Sequence, residues 1–245
     1  MSAVGLVLVT GASRGIGAAT SVALARRGFD LALWARSRAD LDRIAGVCSD
    51  LGASVQATCV DVAQPVAVEE AIRTLPTDQL RGLVVNAGMG VWGTLEELTP
   101  EDWRTQQAVN VDGAFYALRG CAARLRACPH AQVVAIASDS SLHGYPGRPG
   151  YCASKFGLVG LMESARRELR SHDVRITMLL ASRVDTYFRG KQPGGRPEAL
   201  SADEIGEMIG GLFDLPPRVE YREVHVSAIT TTFGPYPEVA PGAAQ

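Results

Sequence analysis

Two hydrophobic periods alternate along this chain of 245 residues. Short runs dense in Val, Leu, Ile and Ala occupy residues 4–10, 30–35, 54–60, 82–86, 132–138, 174–180 and 223–228. Runs this uniformly apolar, bounded by Gly, Pro, Asn or Asp, predict strands buried on both faces. Between them the apolar positions fall at helical spacing over residues 16–27, 39–51, 66–75, 99–127, 151–171 and 202–213. Thr99 followed by Pro100, Glu101 and Asp102 has the form of an N-cap, a proline in the first turn and acids at the positive helix end. Strands separated by helices predict an α/β fold, a doubly wound parallel sheet of about seven strands with helices on both faces. Neither repeat nor linker interrupts the alternation, so residues 1–245 are expected to form a single domain.

Three segments break the rhythm. Residues 142–150 (LHGYPGRPG) form a Gly/Pro loop ahead of the helix at 151. Residues 187–202 are rich in Gly, Pro and basic side chains, and a loop of that length in a compact α/β domain predicts a mobile lid. Residues 233–245 predict a loose tail.

Composition narrows the classes. Apolar residues make up 47% of the chain, enough for a sizeable core, yet no uncharged apolar run is long enough to span a bilayer. The N-terminus lacks a basic n-region and runs directly into an apolar strand, which predicts no signal peptide. The net charge of -2 carries no basic block, so neither nucleic acid nor membrane is expected as a partner. Five cysteines at 48, 59, 121, 128 and 152, without a Cys-x-x-Cys, fit small buried thiols in a reducing cytoplasm better than disulfides or a metal site. Cys152 has no evident activating histidine.

Candidate chemistry begins at the first strand. Thr10-Gly11-Ala12-Ser13-Arg14-Gly15-Ile16-Gly17 lies between that strand and the first helix. Glycines there permit a tight turn and close approach of backbone to a pyrophosphate, which the helix N-terminus then meets with N–H donors. Gly11, Ser13, Arg14, Gly15, Ile16 and Gly17 are therefore candidate cofactor contacts. At the end of the second strand Ala35 stands where a ribose-binding acid would be expected, followed by Arg36 and Ser37. Arg14 and Arg36 are placed to fork a 2′-phosphate, which points to NADP(H). The alternative is that Arg36 and Arg38 are solvated at a strand end. Asp61 and Val62 close the third strand, where a carboxylate can accept from an adenine amino group or merely make a turn. Asn86-Ala87-Gly88 closes the fourth with small residues that let a cofactor approach.

Tyr151 and Lys155 are four residues apart, on one face of a predicted helix, with Ser138 thirteen residues upstream. A neighbouring ammonium favours phenolate, so the spacing predicts a tyrosine pKa lowered toward neutrality and a general acid or base. Ser140 and Ser141 are rivals to Ser138. Asn110 is the candidate polar residue of the long helix. His143, Tyr145, Met89 and Trp92 are expected to border a substrate, and Arg183 either grips a substrate carboxylate or phosphate, pairs with Asp185 or is exposed to solvent.

Together TGASRGIG at 10–17, NAG at 86–88, Asn110, Ser138 and YCASK at 151–155 resemble the short-chain dehydrogenase/reductases over most of the chain. The resemblance implies a Rossmann-like sheet, a nicotinamide cofactor and an Asn110–Ser138–Tyr151–Lys155 tetrad. It further implies hydride transfer from the nicotinamide B face, an Asn110-held water, and homotetramers or homodimers packed through the helices at 100–127 and 151–171. Val184 and Thr186 match positions that contact the cofactor. Val85 departs from the usual Asn, and Ala181-Ser182 from the usual Pro-Gly. The absence of a Gly-Gly near the last strand is more similar to reductases of small hydroxy acids and varied carbonyls. The function implied is NADPH-dependent interconversion of a ketone or aldehyde and an alcohol. The alternatives are an NADP(H)-binding sensor or scaffold without turnover, and an epimerase or dehydratase on the same scaffold.

Overall fold

A computed structural model describes residues 4–229. Its elements, in chain order, are β1 (Leu6–Thr10), α1 (Gly15–Arg26), β2 (Asp30–Ala35), α2 (Arg38–Asp50), β3 (Val55–Cys59), α3 (Pro65–Arg73), β4 (Gly82–Val85), α4 (Pro100–Gln107), α5 (Gly113–Arg126), β5 (Gln132–Ser138), α6 (Pro149–Leu169), β6 (Arg175–Ala181), β7 (Val184–Asp185), β8 (Leu200–Ser201), α7 (Ala202–Phe213) and β9 (Glu223–Val226). Seven strands form one sheet in the order β3-β2-β1-β4-β5-β6-β9, and every pairing is parallel. β1, β4, β5 and β6 are buried along their whole length, as uniformly apolar strands between two helical layers must be. The core accordingly lies on both faces. One cluster packs α3, α5 and α6 against the sheet, and the other packs α1, α2 and α7.

The chain leaves β1 in one direction along the sheet and returns at β4 in the other. The C-terminal ends of these adjacent strands therefore open a crevice, the usual binding place in an open α/β sheet. Thr99 caps α4 by accepting from the Asp102 N–H at 3.1 Å. Ser201 and Glu204 cap α7 reciprocally.

Two predicted features differ. The helix expected over 99–127 is divided by a wider π turn at Ala108–Asp112. The predicted lid carries more order than a loop of its composition suggested. A 3-10 turn spans Phe188–Gly190, and β7 pairs with β8. Arg196 pairs with Asp185 at 2.9 Å, and Arg183 with Glu198 at 2.9 Å. The tail at 233–245 lies outside the described residues. Among the described residues no helix is long and apolar enough to cross a membrane, and no cluster of ligating side chains suits a metal ion.

Candidate active site

The glycine loop is fastened to the end of β4 by buried polar groups. Thr10 Oγ1 accepts the N–H groups of Asn86 (3.0 Å) and Ala87 (3.1 Å) and donates to the Val84 carbonyl. Asn86 Nδ2 donates to the carbonyls of Thr10 (2.9 Å) and Gly11 (3.1 Å). Gly11 has φ +66°, which glycine adopts at no steric cost. A Cβ on Gly17 would stand 2.2 Å from the Gly11 carbonyl oxygen, so only glycine lets α1 start this close to the loop. Arg14 precedes α1 in extended conformation without a side-chain cap, leaving first-turn N–H groups turned to the crevice.

One cleft of about 830 Å³ runs from this loop to Tyr151. Gly11, Ser13, Arg14, Gly15, Ile16, Arg36, Ser37, Asp61, Val62, Asn86, Ala87, Gly88, Val184 and Thr186 all line it, together with Ser138, Tyr151 and Lys155. At its far end β2 stops at buried Ala35, and exposed Arg36 follows. Arg38 points elsewhere and pairs with Asp42 at 2.8 Å. Asp40, not singled out in the sequence, also lines this end and accepts from Ser37 Oγ at 2.8 Å. One oxygen of Asp61 accepts the Ala63 N–H, so the residue shapes its own turn as well as facing the cleft.

At the near end Ser138 terminates β5, and Tyr151 and Lys155 project from the first turns of α6. All three are buried. Ser141 Oγ accepts the Ser138 N–H and caps the following 3-10 turn, so the rival serines serve the backbone that presents Ser138. Lys155 Nζ lies 5.8 Å from the Tyr151 ring centre and donates to the Ile136 carbonyl at 2.8 Å. Burial pushes the Tyr151 phenol up to about 12, only partly offset by its bond with Ser138, while the Asp139 charge adds to the rise. Burial likewise pushes Lys155 down to about 8. The shift of Tyr151 thus runs opposite to the lowering expected from its spacing to Lys155, because desolvation of the phenolate dominates.

Asn110 sits inside the π turn, buried, with its amide occupied. Oδ1 accepts the Met89 N–H (2.8 Å), and Nδ2 donates to the Met89 carbonyl (2.8 Å) and to Ser154 Oγ (2.9 Å). Its side chain holds the segment after β4 against α6.

Besides Asp40, two features were not legible as site residues in the sequence. Asp139 accepts from Ser138 Oγ (2.9 Å) and the Ser140 N–H (2.7 Å) on one oxygen, and from Tyr145 Oη and Ser182 Oγ on the other. Phe188 closes an aromatic trio, with ring centres 5.9 Å from Trp92 and 5.8 Å from Tyr151, while Trp92 and Tyr151 are 5.0 Å apart. Asp139 was legible as a neighbour of Ser138, but Phe188 carried no signal beyond its place in the predicted lid. His143 is exposed and outside the cleft lining. Arg183 and Asp185, read as alternative partners of each other, pair instead with Glu198 and Arg196.

A family model described as short chain dehydrogenase matches residues 5–195. The 3-oxoacyl-acyl-carrier-protein reductase of Aggregatibacter actinomycetemcomitans is 31% identical over 83% of each chain. Among solved structures, the alcohol dehydrogenase of the archaeon Thermococcus sibiricus, complexed with 5-hydroxy-NADP, superposes with a TM-score of 0.88. It is 32% identical, and the match covers 93% of this chain and 97% of that one. A metagenomic short-chain oxidoreductase in complex with NADP gives 0.80 at 28% identity, covering 91% and 96%.

Proposed function

The chain belongs to the short-chain dehydrogenase family, and on that premise we propose that it interconverts a ketone or aldehyde and an alcohol with NADP(H). The observation that carries this reading is the meeting of Ser138, Tyr151 and Lys155 at one end of a cleft whose other end is a glycine loop and Arg36. The residues present fit the dinucleotide. The loop of Gly11, Ser13, Arg14, Gly15 and Ile16 lines the cleft, the first turn of α1 offers uncapped N–H groups, and no carboxylate ends β2. Gly11, Ser13, Gly15, Ile16 and Gly17 would hold its phosphates, and Arg14, Arg36 and Ser37 its 2′-phosphate. Asp61, Val62 and the 86–88 turn would face its adenosine, and Val184, Thr186 and Lys155 its nicotinamide half. Bound there, the nicotinamide supplies or accepts the hydride.

The chain's own contribution is the proton. A phenol with a pKa near 12 is fully protonated at neutral pH, so Tyr151 stands ready as the acid for carbonyl reduction. Ser138, beside it, turns its hydroxyl from Asp139 to the substrate oxygen and orients it. As Tyr151 gives up its proton, the nearby charges of Lys155 and Arg148 favour the phenolate left behind. Asn110 keeps Met89, and with it the pocket wall, in register with α6. The exposed apolar side chains of α4, α5 and α6, Trp103, Phe115 and Phe156, fit a homodimer or homotetramer.

Tyr151→Phe tests the assignment. Proton transfer of this kind contributes roughly 10²–10⁴-fold, so NADPH oxidation across a carbonyl panel should fall by about that factor while NADPH still binds. Undiminished turnover in the variant would refute the proton-donor role.

A further inference from the structure

The substrate end of the cleft carries two arginines on one indole. Arg189 Cζ lies 4.4 Å from the centre of the Trp92 ring, and Arg148 Cζ lies 5.1 Å from it. Trp92 is itself in contact with the Tyr151 ring. Two guanidiniums are thus gathered within a few atoms of the proton donor. An arginine on an aromatic face keeps a fork of N–H donors, which matches a carboxylate in two-point geometry.

Arg189 is held there against a conformational cost. It has φ +61°, a left-handed conformation that non-glycine residues rarely adopt. The other two such residues, His130 and Asp173, lie in turns that lead from a helix to the next strand. Arg189 lies in the wall of the cleft, where strain more often accompanies function. Its neighbours on the same segment behave differently. Arg183 and Arg196 are paired with Glu198 and Asp185, whereas among the described residues Arg189 has no carboxylate partner. Asp139, the acid at this end, already accepts from Ser138, Ser140, Tyr145 and Ser182, so it is not presented to a substrate ammonium.

We propose that Arg189 and Arg148 form an anion clamp, and that the substrate is a small keto acid or hydroxy acid whose carboxylate lies a few bonds from the reacting carbon. The inference rests on the oxidoreductase reading above and names the substrate class of the same site. The short reach from Trp92 to Tyr151 favours a carboxylate on the substrate itself over the phosphates of a long thioester carrier.

The test compares kcat/KM for pyruvate, acetoacetate and levulinate with kcat/KM for their methyl esters, using NADPH and the full chain, with acetoacetyl-CoA as a further arm. At least one acid should be favoured over its ester by about 10-fold or more, the size of one charge-assisted hydrogen bond. That ratio should collapse in Arg189→Gln, fall in Arg148→Gln and be partly retained in Arg189→Lys. NADPH binding, followed by fluorescence, reports whether each variant is folded. Esters or other neutral ketones used as well as the acids would overturn the clamp and leave the oxidoreductase reading standing. So would an acid preference that survives both Gln variants. Preference for acetoacetyl-CoA, lost in Arg189→Gln, would move the anion to the carrier and equally overturn the proposal. No turnover of acids, esters or thioester would count against the oxidoreductase reading and the clamp together.

Discussion

Lys155 gives the most direct physical test of the site. It is buried, its only hydrogen-bond acceptor among the described residues is the Ile136 carbonyl, and burial lowers its pKa from 10.5 to about 8. That difference corresponds to about 3 kcal/mol, the cost of holding the ammonium in the folded protein. Below about pH 8 the lysine is charged in both states, and the folded state bears the whole cost. Between about 8 and 10.5 the unfolded chain binds the proton and the folded protein does not. Stability therefore rises with pH across that window, by about 1.4 kcal/mol per pH unit. Lys155→Met removes the group. It also strips the Ile136 carbonyl of its donor, but that penalty is independent of pH.

Urea unfolding of wild type and Lys155→Met, without cofactor, between about pH 7 and about pH 9.5 reads the effect as a difference of two curves. The wild type should gain on the variant by about 2 kcal/mol over that range. Groups remote from Lys155 are common to both proteins, so the difference isolates the lysine. Tyr151 ionises near 12, above the window. A difference that stays flat from neutral to alkaline pH, or that falls, would refute a buried lysine with a depressed pKa.

Arg36→Ala should weaken NADPH by about 10–100-fold and leave NADH nearly unaffected, since it removes charge-assisted bonds to a group only NADPH carries. Titration of both cofactors checks this, and equal losses would overturn the cofactor assignment. Asn110→Ala deletes three hydrogen bonds of a buried amide and should cost about 3 kcal/mol in urea unfolding. Unchanged stability would refute this positioning role.

What the sequence made legible follows from how strongly a feature is written into a local period. The five inner strands of the sheet could be read because a parallel sheet covered on both faces demands uninterrupted apolar runs, as in Leu6–Thr10 and Gln132–Ser138, while the partly exposed edge strands β3 and β9 show only in the alternation with helices. The glycine string could be read because a backbone clash excludes any side chain at Gly17. The π turn at Ala108–Asp112 left no trace, since one widened turn shifts the helical phase too little to show in a pattern of apolar positions. The β7–β8 pair is only two residues long, below any periodic signal. Asp139 and Phe188 acquire meaning only through Tyr145, Ser182, Trp92 and Tyr151, which other loops bring to them.

The reversed tyrosine shift has a consequence for the direction of proton flow. With Lys155 near 8 and Tyr151 near 12, rising pH discharges the lysine long before the phenol ionises. In this state there is no pH at which phenolate and ammonium are both dominant, so the ion pair that the four-residue spacing suggests does not form by titration alone. The combination that does prevail at neutral pH is phenol beside ammonium, the form that donates a proton and then stabilises the charge it leaves. For the reverse reaction Tyr151 must first become phenolate. That requires its environment to lose the desolvation penalty or gain positive charge, and Asp139 opposes the second by adding a negative charge at the same hydroxyl cluster. The half-buried acid beside Ser138 therefore favours the protonated form of Tyr151. Arg148, stacked on Trp92, is the charge that counters it, since it favours the Tyr151 phenolate.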